Sequence, residues 1–246
     1  FTLKKGSFIW HLKSVKKDWK MQKSDFEKFA LDKGVSSEQL DYFRKRNWPL
    51  MGGYINPTVI EERQMNVTTM DVFSRLMLDR ILFLGSEIDS DVSNIISAQL
   101  LWLENQGDGD ITMQISSPGG SIYDGYKIVD VINYVKCDVS TVCMGMVASM
   151  ATVIASSGTR GKRFILPHSR FLVHQPMSGI SAGTQCSDIQ IHAKEIEILK
   201  TELTQMLTDN TYGKVTYEEM EKMCDRDTIL TASQALEKGF VDKIIN

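Results

Sequence analysis

Between residues 70 and 246 the chain switches repeatedly between two textures. Short, nearly continuous apolar runs give way to longer stretches in which apolar residues return every three or four positions. The first texture predicts strands and the second predicts helices. Strands are predicted at "ILFLGSEI", "DITMQISS", "DVSTVCMG", "KRFILP", "SRFLVHQP" and "VDKII". A helix is predicted at "MDVFSRLMLDR", where Val72, Leu76 and Leu78 share a face. Another is predicted at "SDVSNIISAQLLWLEN", capped by Ser90 or Asp91,. "GSIYDGYKIVDVINYV" brings Ile122, Tyr126, Val129 and Ile132 near one face, and "ASMATVIASSG" is a helix of small residues,. A long helix follows near 187–209, then shorter ones at "TYEEMEKMCDRD" and "TASQALEKGF". Strands alternating with helices predict the α/β class, a mostly parallel sheet covered by helices. The long helix either packs on that sheet or projects toward a partner chain.

Residues 1–54 have a different texture. "KSDFEKFALDKG" spaces Phe26, Phe29 and Ala30 as a helix stopped by Gly34,. "SSEQLDYFRKR" starts on a capping serine and repeats with Leu40 and Phe43,. "PLMGGYINP" reads as a linker,. This stretch holds twelve Lys and Arg against six Asp and Glu, whereas the remainder holds sixteen against twenty-five. The expected organisation is a basic, mainly helical extension over 1–54 joined to an acidic body over 55–246.

The whole chain has a formal net charge of -3, which argues against a nucleic-acid binder,. No apolar run approaches the length of a membrane span,. The opening "FTLKKGSFIWHLKSVKK" lacks the apolar run and cleavage site of a secretory signal, although a processed organellar chain would look the same,. Cys137, Cys143, Cys186 and Cys224 make no CxxC pair and have no histidine at ligand spacing,. Scattered thiols of this kind suit a reducing compartment.

Three polar residues stand where chemistry collects. Ser149, in "GMVASMAT", falls between a predicted strand and a small-residue helix, where unpaired N–H groups and the helix dipole favour negative charge,. A plain capping serine has the same local sequence. His174 ends the apolar run "RFLV", at the carboxyl edge of a predicted strand where sites form in α/β sheets, though a satisfied half-buried histidine also fits,. His11 and His192 have weaker settings, and His168 falls in a predicted hairpin turn at the surface. Asp225 or Asp227 caps a helix or orients a neighbour. A hydroxyl, a base and an acid of this kind can form a triad if the fold brings them together.

"SPGGSIYDGYKIVD" adds the remaining part. Acyl transfer needs N–H groups aimed at the carbonyl oxygen that becomes charged. Gly120 can present its N–H with no side chain in the way, and Met150, next to Ser149, can present a second. Gly119 and Gly120 together would also let a peptide lie down as an added strand.

The ordered motifs "PTVIE", "SRLMLDRILFLG", "ISSPGGSIYDGYKI", "DVSTVCMGMVASMA", "GKRFILPHSRFLVHQP", "DIQIHAKEI" and "MCDRDTILTASQALEKGFVDKII" resemble the Clp protease family of serine peptidases over residues 55–246. The resemblance implies a crotonase-like α/β fold of repeated β-β-α units, with a projecting strand-helix handle over about residues 174–209. It implies Ser149 as nucleophile, His174 as base, Asp227 as acid, and Gly120 and Met150 as backbone oxyanion donors. Arg226 resembles the residue that ties ring contact to order in the active site. The family assembles as two stacked seven-membered rings, homomeric or mixed with a paralogue, around a chamber that receives unfolded polypeptide from an AAA+ unfoldase. No cofactor or metal is implied in this chain, since the unfoldase uses the ATP. A cytoplasmic setting is implied, with an organellar matrix or stroma as the alternative.

Three features depart from the family pattern. Family members usually begin near Tyr54 or Ile55, which makes residues 1–54 an addition. Thr112 and Gln114 stand where aromatic residues usually help form the apical pocket for the unfoldase, so the choice of unfoldase is in question,. The handle is about two residues longer than usual and includes Cys186. Rival readings are an acyl-CoA hydratase of the same broad fold, a non-catalytic scaffold subunit of a mixed ring, and a membrane-bound signal-peptide peptidase. The hydratase would keep the paired N–H groups without a triad, the complete triad opposes the scaffold, and the absence of an anchor opposes the membrane enzyme.

Overall fold

Apolar alternation becomes a sheet once each strand finds a parallel neighbour. The structure, a computed structural model, describes residues 58–63 and 66–246. The helices and linker expected within residues 1–54 lie outside the described residues. A hairpin of β1 (Thr58–Arg63) and β2 (Asn66–Asp71) comes first, its strands paired antiparallel. The apolar patterning of this stretch did not predict strands there. The Asp71 carboxylate then caps α1 (Val72–Leu78) by accepting from the Ser74 N–H. No residue of α1 is buried, and Leu78 is exposed rather than part of a core-facing stripe.

The central sheet runs β3 (Ile81–Leu84), β4 (Ile111–Ser117), β5 (Val139–Ala148), β6 (Arg163–Ile165) and β9 (Lys243–Ile244), all parallel. Helices α2 (Ser90–Gln106), α3 (Ile122–Tyr134) and α4 (Met150–Ser156) connect successive strands. This is the expected α/β arrangement of repeated β-β-α units. The cap of α2 is Asp89, one residue before the predicted Ser90, because its carboxylate accepts from the Val92 N–H.

Strand β4 shows strict alternation, with Ile111, Met113, Ile115 and Ser117 buried and Thr112 and Gln114 half-buried on the other face. Ile96, Leu100 and Leu103 of α2 and Ile128 and Ile132 of α3 join the same core. Full burial of each such side chain contributes about 1.5–3 kcal/mol. Leu100→Ala would therefore cost about 2–5 kcal/mol. Every residue of α4 is buried, including Thr152 and Ser156.

Two irregularities decide where the site forms. Strand β5 carries two more residues than β4 between the Ile115–Cys143 and Ser117–Val147 pairs, and Gly145 within that bulge has φ +59°,. Beyond the bulge, β5 leaves β6 and pairs in parallel with β7 (Arg170–Val173). Strands β6 and β7 therefore each pair with a different half of β5, and no hairpin forms between them. His168 is exposed in the turn that joins them. The second irregularity is β8 (Thr228–Thr231), a strand the sequence reading missed, which runs antiparallel to β7.

The long helix is α5 (Cys186–Asn210). Its first half is mostly exposed, and its buried residues are Leu199, Thr204 and Leu207. Tyr123 and Tyr126 of α3 donate hydrogen bonds to Glu195 and Glu202 of α5, at 2.7 and 3.3 Å. Residues 174–185 form no strand, contrary to the strand expected there. An extended segment becomes a strand when a neighbouring strand satisfies its N–H and C=O groups. Two short helices complete the domain: α6 (Tyr217–Cys224), with a Thr216–Glu219 capping box, and α7 (Ala232–Glu237), with a Thr231–Gln234 box,.

Candidate active site

The bulge in β5 brings Ser117 level with Val147, so the next residues of both strands leave the sheet side by side. Gly119 meets Ser149 there. A β-carbon on Gly119 would lie 2.6 Å from Ser149 Cβ and 2.7 Å from the Ala148 carbonyl oxygen, and its φ is +91°. The position demands glycine for both conformation and space. Gly120 is pressed as closely, since a β-carbon would lie 2.2 Å from the Ile88 carbonyl oxygen. Its neighbours make the bridge to Ile88: the Ile88 N–H donates to Gly119, and the Ser121 N–H donates to Ile88, both at 2.8 Å. That alternation turns the N–H of Gly120 away from Ile88. Gly119, read in the sequence only as an opening for an added peptide strand, is as constrained as Gly120. The adjacent glycine was its visible signal.

Ser149 occupies a strand-to-helix elbow with φ +55° and ψ −130°, a conformation that costs a non-glycine residue about 1–3 kcal/mol,. Its hydroxyl makes no cap bond, so it is not the plain capping serine that the local sequence allowed. The elbow is held by its backbone: the Ser149 N–H donates to Leu172 O at 2.9 Å, and Ser149 O accepts from the Thr152 N–H and hydroxyl. Met150 opens α4, so its N–H belongs to the helical first turn that lacks intrahelical acceptors,.

Register places the histidine and aspartate together. Val173 pairs with Thr228 in the β7–β8 ladder, so His174 and Asp227 are the next residues on either side. Gln175 reinforces this, its N–H donating to Cys224 O and its side-chain amide to Asp225 O. His174 Nδ1 lies 3.7 Å from Asp227 Oδ1, beyond hydrogen-bond length,. The His174 side chain is 11% exposed and that of Asp227 is 70% exposed. Asp225 is instead the C-cap of α6. Arg226 is exposed and makes no ion pair among the described residues.

Ser149, His174, Gly119, Gly120 and Met150 all line one open cleft of about 380 Å³. Leu203 and Leu207 of α5, with Met177 and Ile122, contribute apolar surface to it. The hydroxyl of Ser149 makes no hydrogen bond to His174, so neither link of a Ser–His–Asp relay is closed in this conformation. Such links are often long without substrate. Burial pushes the thiol of Cys143 up to about 12 and that of Cys224 up to about 11, which keeps both protonated near neutrality,. His192 is exposed on α5.

The chain matches the Clp protease family over residues 63–246. It is 48% identical over 224 residues to the ATP-dependent Clp protease proteolytic subunit of Porphyromonas gingivalis, covering 90% of this chain and 97% of that one. The corresponding subunit of Bacteroides fragilis is 45% identical over 223 residues, covering 90% and 98%, and that of Lactococcus lactis subsp. lactis 44% over 194 residues, covering 78% and 96%. The chain belongs to the Clp protease family. The likeness to the first two relatives covers more of the chain than residues 55–246 can supply. It therefore extends into part of the first 54 residues. Among the described residues no helix is long and apolar enough to cross a membrane.

Proposed function

We infer that this chain is the proteolytic subunit of an ATP-dependent Clp protease, a serine endopeptidase that hydrolyses peptide bonds in unfolded polypeptide. The convergence of Ser149, His174 and the Gly119–Gly120 turn on one cleft carries this reading. His174 takes the proton from Ser149 as Oγ attacks the peptide carbonyl, and Asp227 steadies the imidazole. The Gly120 and Met150 N–H groups receive the oxyanion. His174 then protonates the departing amine, and water attacks the acyl-enzyme to release the second fragment. The apolar wall from α5 and α3 suits an apolar side chain beside the cut bond,.

The family context supports a ring-forming subunit that works with an AAA+ unfoldase. Two stacked heptamers would use α5 and the segment before it as the handle, with Arg226 on the contact between rings. Residues 1–54 would be a basic extension of the peptidase domain. The bacterial relatives favour the cytoplasm. Ser149→Ala should lower peptide cleavage by about a thousandfold or more and abolish labelling by a fluorophosphonate, at unchanged particle mass. Retained cleavage by the purified variant would refute the nucleophile assignment.

A further inference from the structure

Gly125 sits inside α3, where glycine is about 0.8–1.0 kcal/mol less favourable than alanine,. It is not among the residues with positive φ, so its backbone conformation is open to any residue. What glycine supplies there is room for the side chain of Met150. A β-carbon on Gly125 would lie 2.2 Å from Met150 Cγ, 2.6 Å from Cε and 2.9 Å from Sδ. Cγ stands one bond beyond Cβ, so it cannot retreat without a new χ1 or a shift of the Met150 backbone. Met150 is 2% exposed, which closes off the alternative rotamers,. Helix α3 therefore rests directly on the first side chain of α4.

The two helices carry the two oxyanion donors. Ser121, the residue after Gly120, is the N-cap of α3, and Met150 is the first residue of α4. We propose that Gly125 is a positioning residue that sets the separation of the Gly120 and Met150 N–H groups by letting Met150 pack against the backbone of α3. This rests on the reading of those groups as oxyanion donors. The geometry of donors around the transition state acts on turnover more than on binding.

The test is a double-mutant cycle on the full chain, read as kcat and KM on a short fluorogenic peptide, with particle mass measured for each variant. Gly125→Ala should lower kcat about tenfold or more with KM changed by less than about twofold. The same substitution in a Met150→Ala background should have no further effect on kcat, because the clashing atoms are gone. A Gly125→Ala enzyme with kcat within about twofold of the parent, or an equal loss in both backgrounds, overturns the proposal. Should Gly125→Ala fail to assemble, the comparison of Met150→Ala with the double variant decides alone. Equal kcat supports the spacer, and a tenfold further loss sinks it. Ser149→Ala serves as the control. If it still cleaves, the underlying catalytic reading fails; if it is silent while Gly125→Ala is unimpaired, the spacer fails and the catalytic reading stands.

Discussion

The two walls of the cleft are built to different stiffness. On one side Ser149 is bound by backbone hydrogen bonds to β7 and to Thr152, Gly119 presses on its Cβ, and Met150 is buried. On the other side His174 opens an irregular segment, and Asp227, behind it and not lining the cleft, is 70% exposed just before a short edge strand. Met150 thus belongs to the core, with Ser149 and the glycine turn held against it, while the base and acid belong to its margin. Core packing holds a strained elbow in place because every departure from it opens a void or makes a clash. At the margin the exposed carboxylate of Asp227 is adjustable, so its contact with His174 contributes little to stability,.

Replacing Gly119 by Ala should have the largest effect, because the new methyl group meets Ser149 and Ala148 at a backbone angle unfavourable for alanine,. Peptide turnover should fall about a hundredfold, with a lowered melting temperature. An active, stable Gly119→Ala enzyme would show that the buried wall is more plastic than its geometry implies. Asp227→Asn should cost less in kcat than Gly119→Ala, because an exposed carboxylate 3.7 Å from the ring is weakly coupled to it,. A loss as large as that of Gly119→Ala would mean that the pair closes and desolvates fully during catalysis.

The smallest effect concerns support behind the buried wall. Arg163 donates to Ser156 O at the end of α4 and pairs with Asp242 at 2.7 Å. Burial works against ionisation of Asp242, but the hydrogen bonds and charge of Arg163 outweigh it and hold the carboxyl below its ordinary range. A lowered folded-state value means that the unfolded chain binds more protons in acid, so stability rises with pH. The contribution is complete above about pH 4 and fades as pH falls through the folded value. Unfolding free energies of parent and Asp242→Asn should differ near neutrality and converge below about pH 4. A constant difference across that range would assign the role to packing.

Much of this was legible in the chain. The alternation of Ile111, Met113 and Ile115 gave β4, the spacing in 122–132 gave α3, and the run of small residues after Ser149 gave a helix, whose full burial the structure adds. Strand β8 was not legible, because "TILT" is short, half polar and exposed at Ile229, and it exists as a strand through its pairing with β7. The positive φ of Ser149 was equally hidden, since serine has no preference for that region,.

The amino-acid sequence by itself determined the α/β class, the glycine pair and the residue types that a hydrolytic site needs. Those depend on local period and on side-chain chemistry. Only the tertiary structure decided that the β5 bulge would seat Gly119 against Ser149, that the β7–β8 register would bring His174 beside Asp227, and that Gly125 would make room for Met150. Each of those is a contact between residues far apart in the chain, set by close packing and strand register, which no local pattern encodes.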